Sequence, residues 1–329
     1  MADCYSCKKQ CPFHPSMEAP ENPVNQRSQL KPPERPFIVG VVAGGSCQDF
    51  AQYGLRWCFV GDHMEEWILF SEEMCLLKPD VLWLEITATC PAELHGELAE
   101  KLGLGFMTGI ETPKSRGVPI RRQRRFSFAY CKKKFMFSGS WDDYDETFKR
   151  APKISGDCFV MLDSGERQKL YREMGENKKL YFSAEKIISV EDVLTIPQQC
   201  RLKQHEEFFN SDSYLHDAYI TDLNHEVSFT TGDQYVPCLT THCKLITSLS
   251  KDGKHKIFHP RELLLVQGEP CFQDCVPDDY PCYWQDILEN GSVPPTALCS
   301  IIGNSFNAVS FGLWVIYCLA NLKLRADCD

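Results

Sequence analysis

Between Phe37 and Tyr130 the sequence alternates short apolar runs with amphipathic segments, and that alternation limits the fold more than any other feature. Phe37–Ala43 (FIVGVVA) is rich in β-branched residues and runs into Gly44-Gly45, the pattern of a buried strand ending in a loop. Asp62–Leu77 carries Met64, Trp67, Ile68 and Cys75 at helical spacing and stops at Lys78-Pro79. Val81–Leu84 (VLWL) reads as a second buried strand, finishing at Glu85. Pro91 opens another helix, with Leu94, Leu98 and Leu102 on one face. Leu104–Ile110 and Phe126–Tyr130 read as further strands. The order strand–helix–strand–helix–strand predicts an α/β sheet with parallel strands. Ligands of such sheets gather at the carboxyl ends of the strands, and both Cys47 and Glu85 follow directly on such an end.

The pattern then changes. Residues 131–235 mix helical and strand signals with dense charge, as in a second, less regular domain. An apolar segment at Leu263–Val266 and a final helix from about Ser305 follow. Phe306–Leu322 is the one long apolar run. Asn307, Ser310 and Gly312 interrupt it, and it falls at or below spanning length, so it reads as a buried helix and not a membrane anchor. The expected organisation is a Cys-containing tail over 1–36, a catalytic-type α/β region over 37–130, an irregular domain over 131–235, and a C-terminal part over 236–329 that returns to the first region.

The net charge of −10 argues against a general nucleic-acid binder and requires any such contact to come from a local patch. One exists: from Thr112 to Gly139 there is no acid, while Lys114, Arg116, Arg121, Arg122, Arg124, Arg125, Lys132, Lys133 and Lys134 are basic. Eighteen cysteines would suit a small secreted disulfide scaffold, but the chain begins with the polar MADCYSCKKQ, so the thiols read as reduced and intracellular. Cys4, Cys7, Cys11 and His14 have a spacing able to ligate one zinc ion, yet the span is short and lacks a second cluster. It reads as a tail, and no metal is expected.

Three segments carry candidate chemistry. In AGGSCQDFAQYG (43–54), Cys47 sits in a loop after a buried strand, where a nucleophile could stand, although a lone cysteine is usually a small core residue. In LWLEIT, Glu85 ends a buried strand, where poor solvation favours a carboxyl that holds or donates a proton; the plainer role is a helix cap or an arginine partner. In RGVPIRRQRRF (116–126), a Gly-Val-Pro turn leads into alternating arginines. Arg122 and Arg124 share one face and Arg121 and Arg125 the other, unless the stretch is a solvated edge.

Together, and in this order, these segments resemble the motifs of the cytosine-carbon-5 DNA methyltransferase family. GGSCQDFAQYG resembles the family's catalytic loop, LEIT its Glu-Asn-Val motif, and GVPIRRQRR its arginine motif. VPCLTTHCKLI (236–246), HPRELLLVQGEP (259–270) and IIGNSFNAVSFGL (301–313) resemble the three motifs that follow the family's recognition region. Ser46, Ile86 and Ile120 stand where the family has proline, asparagine and glutamine.

The resemblance implies a partial Rossmann-like methyltransferase sheet with an irregular target-recognition domain. It implies a cytosine flipped out of DNA, Cys47 as nucleophile at carbon 6, Glu85 as partner of the ring N3, and Arg122 and Arg124 on the base side. Arg121, Arg125, Lys132, Lys133 and Lys134 would contact nucleic acid, Gln267 would organise the recognition region, and Gly303 and Asn304 would close the S-adenosylmethionine side. The family's Gly-rich loop and ribose-binding acid would precede Phe37, and none of the 36 residues there matches them. This chain alone is therefore expected to bind S-adenosylmethionine weakly or not at all. A nucleic-acid-binding module without catalysis, or an RNA methyltransferase on the same scaffold, are the alternatives. Nuclear residence follows only from the function.

Overall fold

The computed structural model describes residues 38–45, 50, 61, 64–210, 218–229, 234–241, 243–249, 254–272, 276, 282, 284, 287–288 and 293–325. Cys4, Cys7, Cys11, His14, the lead-in over 15–36, Ser46 and Cys47 lie outside them.

The elements run β1 (Gly40–Gly44), α1 (Met64–Leu77), β2 (Val81–Thr87), α2 (Ala92–Lys101), β3 (Leu104–Glu111), β4 (Arg124–Cys131) and β5 (Phe135–Phe137). They continue with α3 (Trp141–Phe148), α4 (Ser164–Asn177), α5 (Val190–Val193), α6 (Ile196–Asn210), β6 (Ala218–Asp222), β7 (Leu245–Leu249) and β8 (Lys254–Ile257). Last come α7 (Pro260–Val266), α8 (Pro295–Asn304), α9 (Ala308–Ala320) and β9 (Leu322–Leu324). The chain forms two compact units. One comprises 1–109, 125–141 and 320–329; the other comprises 110–124 and 142–319.

The first unit is an α/β sheet in the order β1-β2-β4-β3. β1 and β2 are parallel, with Gly40 opposite Val81 and Gly44 opposite Glu85. Every residue of β2 is buried, as its unbroken apolar sequence requires of an inner strand. That strand runs two residues past Glu85, to Thr87, because Ile86 and Thr87 continue the buried β-branched run. β4 runs against β2: Cys131 N donates to the Asp80 carbonyl, and Phe128 packs beside Trp83. Crossover helices set the parallel direction; the connection over 112–123 has only a short 3-10 turn, so the chain doubles back. Met74, Leu82, Leu84, Leu98, Leu104 and Ala129 fill one core of this unit, and Phe50, Ile86, Cys90 and Leu94 another.

The second unit contains the antiparallel sheet β6-β7-β8 and most of the helices. Ile120, Val236, Leu239, Leu264 and Ile302 form one core; Leu170, Val190, Val193 and Leu223 form another. A buried pair, Arg167 to Glu262 at 2.7 Å, holds α4 to the start of α7. The apolar stretch Ala297–Ala320 has the length and composition to cross a membrane. Its helix is broken at 305–307, however, where the buried Asn307 donates to the Val266 carbonyl at 3.3 Å and accepts from Ser310 N at 3.1 Å. Asn307 thereby caps α9, whose 13 residues pack Trp314, Tyr317 and Cys318 inward.

Candidate functional site

In the first unit the carboxyl ends of β1 and β2 are tied by one hydrogen bond, from Gly45 N to the Glu85 carbonyl at 2.8 Å. Glu85 is only 7% exposed and lines a cavity of about 110 Å³ with Gly44, Gly45, Trp67 and His95. Ile86, at the family's asparagine position, turns away from polar work. It is 2% exposed and packs against Gly45, where a Cβ would lie 3.0 Å from its Cδ1.

His95, on α2, belongs to the same cavity and was not singled out by the sequence. It lies beside Leu94 and one turn before Leu98, so its place on the buried helix face was the available signal. Its Nδ1 is 2.8 Å from Ser127 Oγ, and its ring stacks on Trp67 with centroids 5.3 Å apart. Burial, with the Arg125 charge adding to it, drops its pKa to about 3, so the imidazole is neutral at ordinary pH.

In the second unit the arginine motif meets the C-terminal motifs. Arg122 is 3% exposed, and its guanidinium donates to the carbonyls of Leu239 (3.1 Å), Gly303 (3.3 Å) and Ser305 (2.8 Å). Arg124 is half-buried, with Nη1 and Nη2 3.9 and 3.8 Å from Cys238 Sγ. Main-chain bonds from Arg121 N to Val236 O (2.8 Å) and from Val236 N to Pro119 O (2.9 Å) lock the two segments together. Gln267 donates to the Ile302 carbonyl at 2.8 Å, while its own carbonyl accepts from Ala308 N at 2.7 Å. Gly303 is buried so closely that a Cβ would stand 2.4 Å from Thr241 N; Asn304 beside it is exposed. Ile120, at the family's glutamine position, is fully buried in the core.

The turn that launches the arginine motif is pinned by a buried ion pair. Arg116 binds Glu111 through Nε at 2.9 Å and Nη2 at 2.7 Å, reaches Asp145 at 3.0 Å, and lies over the Tyr144 ring. Gly117, at φ +86°, then takes the left-handed turn that a side chain would resist.

The other basic residues divide by environment. Lys132 and Lys133 are exposed; Lys134 pairs with Asp80 at 2.8 Å, and Asp80 in turn accepts from Val39 N ahead of β1. Arg125 donates from Nε to the Cys90 carbonyl at 2.7 Å. No group of metal-ligating side chains is present among the described residues.

The described residues do not fit S-adenosylmethionine. The cavity is too small to enclose a ligand the size of S-adenosylmethionine. Gly303 lies against backbone, with no open cradle at its α-carbon.

No family model and no curated protein matches the chain. Solved structures similar to it include the Dnmt2 methyltransferase of S. pombe, 14% identical over 85% of this chain and 76% of that one, with a TM-score of 0.44. The Entamoeba histolytica methyltransferase EhMeth is 12% identical over 85% and 77%, with a TM-score of 0.42. A Spodoptera frugiperda DNMT2 mutant is 14% identical over 85% and 79%, with a TM-score of 0.40. At this level the similarity concerns the course of the backbone and names no substrate for this chain.

Proposed function

We propose that the chain is a cytosine-carbon-5 methyltransferase-like protein that takes an extruded pyrimidine, in DNA first of all, and activates its carbon 5 through Cys47. The observation that carries the reading is the Gly45–Glu85 hydrogen bond at the ends of two parallel strands. Cys47 follows Gly45 by two residues in the sequence, and the reading assigns it to the same loop.

The chemistry uses the chain's own groups. The Cys47 thiolate forms a bond to carbon 6, and the 5,6 double-bond pair moves into the ring toward N3. The Glu85 carboxyl gives its proton to N3 and stabilises the charge that arrives there. Carbon 5 becomes nucleophilic. It can take a proton from water; the hydrogen carbon 5 originally carried then leaves as a proton to water, the N3 proton returns to Glu85, and the Cys47 thiolate is expelled from carbon 6 as the 5,6 double bond re-forms. In this reading Arg122 works as a positioning residue that holds the arginine segment to Leu239, Gly303 and Ser305, and Arg124 is assigned to nucleic-acid phosphate. Since S-adenosylmethionine does not fit the described residues, no step is assigned to it. Exchange of the carbon-5 hydrogen of cytosine with solvent tests the proposal without a methyl donor.

A base-binding module without covalent chemistry is the second reading, favoured by the small size of the cavity. It predicts base-dependent binding and no exchange.

A further inference from the structure

The direction of one hydrogen-bond chain fixes what His95 can do. Thr108 Oγ1 donates to the Phe126 carbonyl at 3.0 Å, and Ser127 Oγ donates to Thr108 Oγ1 at 2.8 Å. Ser127 has thus used its one proton, so at 2.8 Å its oxygen accepts from His95, which must carry its hydrogen on Nδ1. The other nitrogen, Nε2, is left with a lone pair. It is buried and makes no hydrogen bond among the described residues, in a side chain only 1% exposed. The neutral state argued above keeps it an acceptor.

The rest of the cavity matches. Its other polar side chains are the carboxyls of Glu66 and Glu85, the latter a donor when it carries a proton, while Phe50, Trp67 and Phe70 give it aromatic walls. Its volume of about 110 Å³ is of the order that admits one small ring. A lining of carboxyl groups disfavours phosphate, and the acceptor nitrogen of His95 complements an N–H donor.

We propose that His95 is a specificity-determining residue, and that Nε2 accepts an N–H from a planar ring bearing an amino group beside a ring nitrogen. Such an edge belongs to cytosine and to adenine, and not to uracil or hypoxanthine. The inference deepens the function proposed above, because Glu85 lines the same cavity, but it stands on His95. A carbonyl in place of the amino group leaves Nε2 without a donor, the kind of mismatch that buried sites reject strongly.

The test is titration of the full chain, with ¹⁵N-labelled histidine, by deoxycytidine, deoxyuridine, adenosine and inosine. The His95 signal is identified by its loss in His95→Phe, which keeps an aromatic ring against Trp67. At least one amino nucleoside should shift the Nε2 resonance and saturate, while its deaminated counterpart should bind roughly tenfold more weakly or worse. Saturation by deoxycytidine marks the cavity as a substrate-base site, and saturation by adenosine marks it as a site for a purine-bearing ligand. His95→Phe should erase the preference, and His95→Gln, which retains an acceptor, should keep part of it. Equal binding of amino and keto nucleosides, or no shift of His95 with any of them, overturns the inference. Weakening by Glu85→Gln with none by His95→Phe also overturns it, and leaves the role of Glu85 standing. Amino selectivity without hydrogen exchange at carbon 5 would instead sink the covalent chemistry and leave His95 as argued.

Discussion

Arg122 donates from Nη2 to the Ser305 carbonyl at 2.8 Å across 183 residues of sequence. With its bonds to Leu239 and Gly303, this one guanidinium joins three of the motif segments that the sequence presents in separate places. Arg122→Met should therefore strand several buried carbonyls at once, at about 3 kcal/mol or more. Arg122→Lys should recover little, because a single ammonium cannot span the same fork. Urea denaturation of the full chain measures both, and an unchanged midpoint for Arg122→Met would mean the clamp does not form.

Two glycines should respond in opposite directions. Gly303→Ala places a Cβ 2.4 Å from Thr241 N, so backbone must move, at about 1–3 kcal/mol of stability. Gly312, inside α9, has nothing within 4 Å of a built Cβ, and Gly312→Ala should stabilise by about 0.5–1 kcal/mol. Thermal melts of the two variants check the pair.

His95 should leave a signature in the pH dependence of stability. Its folded pKa of about 3 lies below the unfolded value of 6.5. The unfolded chain therefore binds a proton first as pH falls, and the stability tied to neutral His95 is full above 6.5 and is lost progressively down to about 3. The slope from one proton approaches about 1.4 kcal/mol per pH unit. His259, lowered to about 4, adds to the same limb. His95→Phe should flatten denaturation midpoints between pH 6 and about 4, and an unaltered profile would argue that His95 is not held neutral.

Much of the first unit could be read from apolar spacing. β1, α1, β2, α2 and β3 lie close to where apolar spacing predicts them, because each is a local run whose period declares its type, but β1, expected to be buried, alternates exposed and half-buried residues. The reversed direction of β4 is not a local property; it follows from the short link after β3, which the Glu111–Arg116 pair holds. The arginines show the same divide. A basic run looks alike whether it faces phosphate or carbonyl oxygen, and only the return of residues 239–305 reveals that Arg122 spends its donors inside the protein. His95 was hidden for a related reason. Its hydroxyl partner Ser127 is 32 residues away, and nothing in α2 itself announces an acceptor nitrogen.

The basic residues of the first unit should contribute unequally to nucleic-acid affinity. Lys132 and Lys133 are exposed, and Lys134 is half-buried in its pair with Asp80. Lys132→Glu with Lys133→Glu should weaken oligonucleotide binding and flatten its salt dependence by about one unit of slope per lost phosphate contact. Lys134→Gln should instead act mainly on stability, through Asp80 and its bond to Val39 N. Fluorescence anisotropy across a salt series separates these effects, and equal affinity for the doubly reversed chain would reduce the run to a solvated face.

If the Cys47 thiol and the Glu85 carboxyl act on one base, tritium at carbon 5 of cytosine should be lost to water. Oligonucleotides carrying 5-tritiated cytosine, as duplex DNA and as RNA, would be incubated with the full chain and no methyl donor. Release above the uncatalysed rate is expected, abolished by Cys47→Ser and slowed by Glu85→Gln by roughly tenfold or more. No release from either nucleic acid, or release that survives Cys47→Ser, would contradict it.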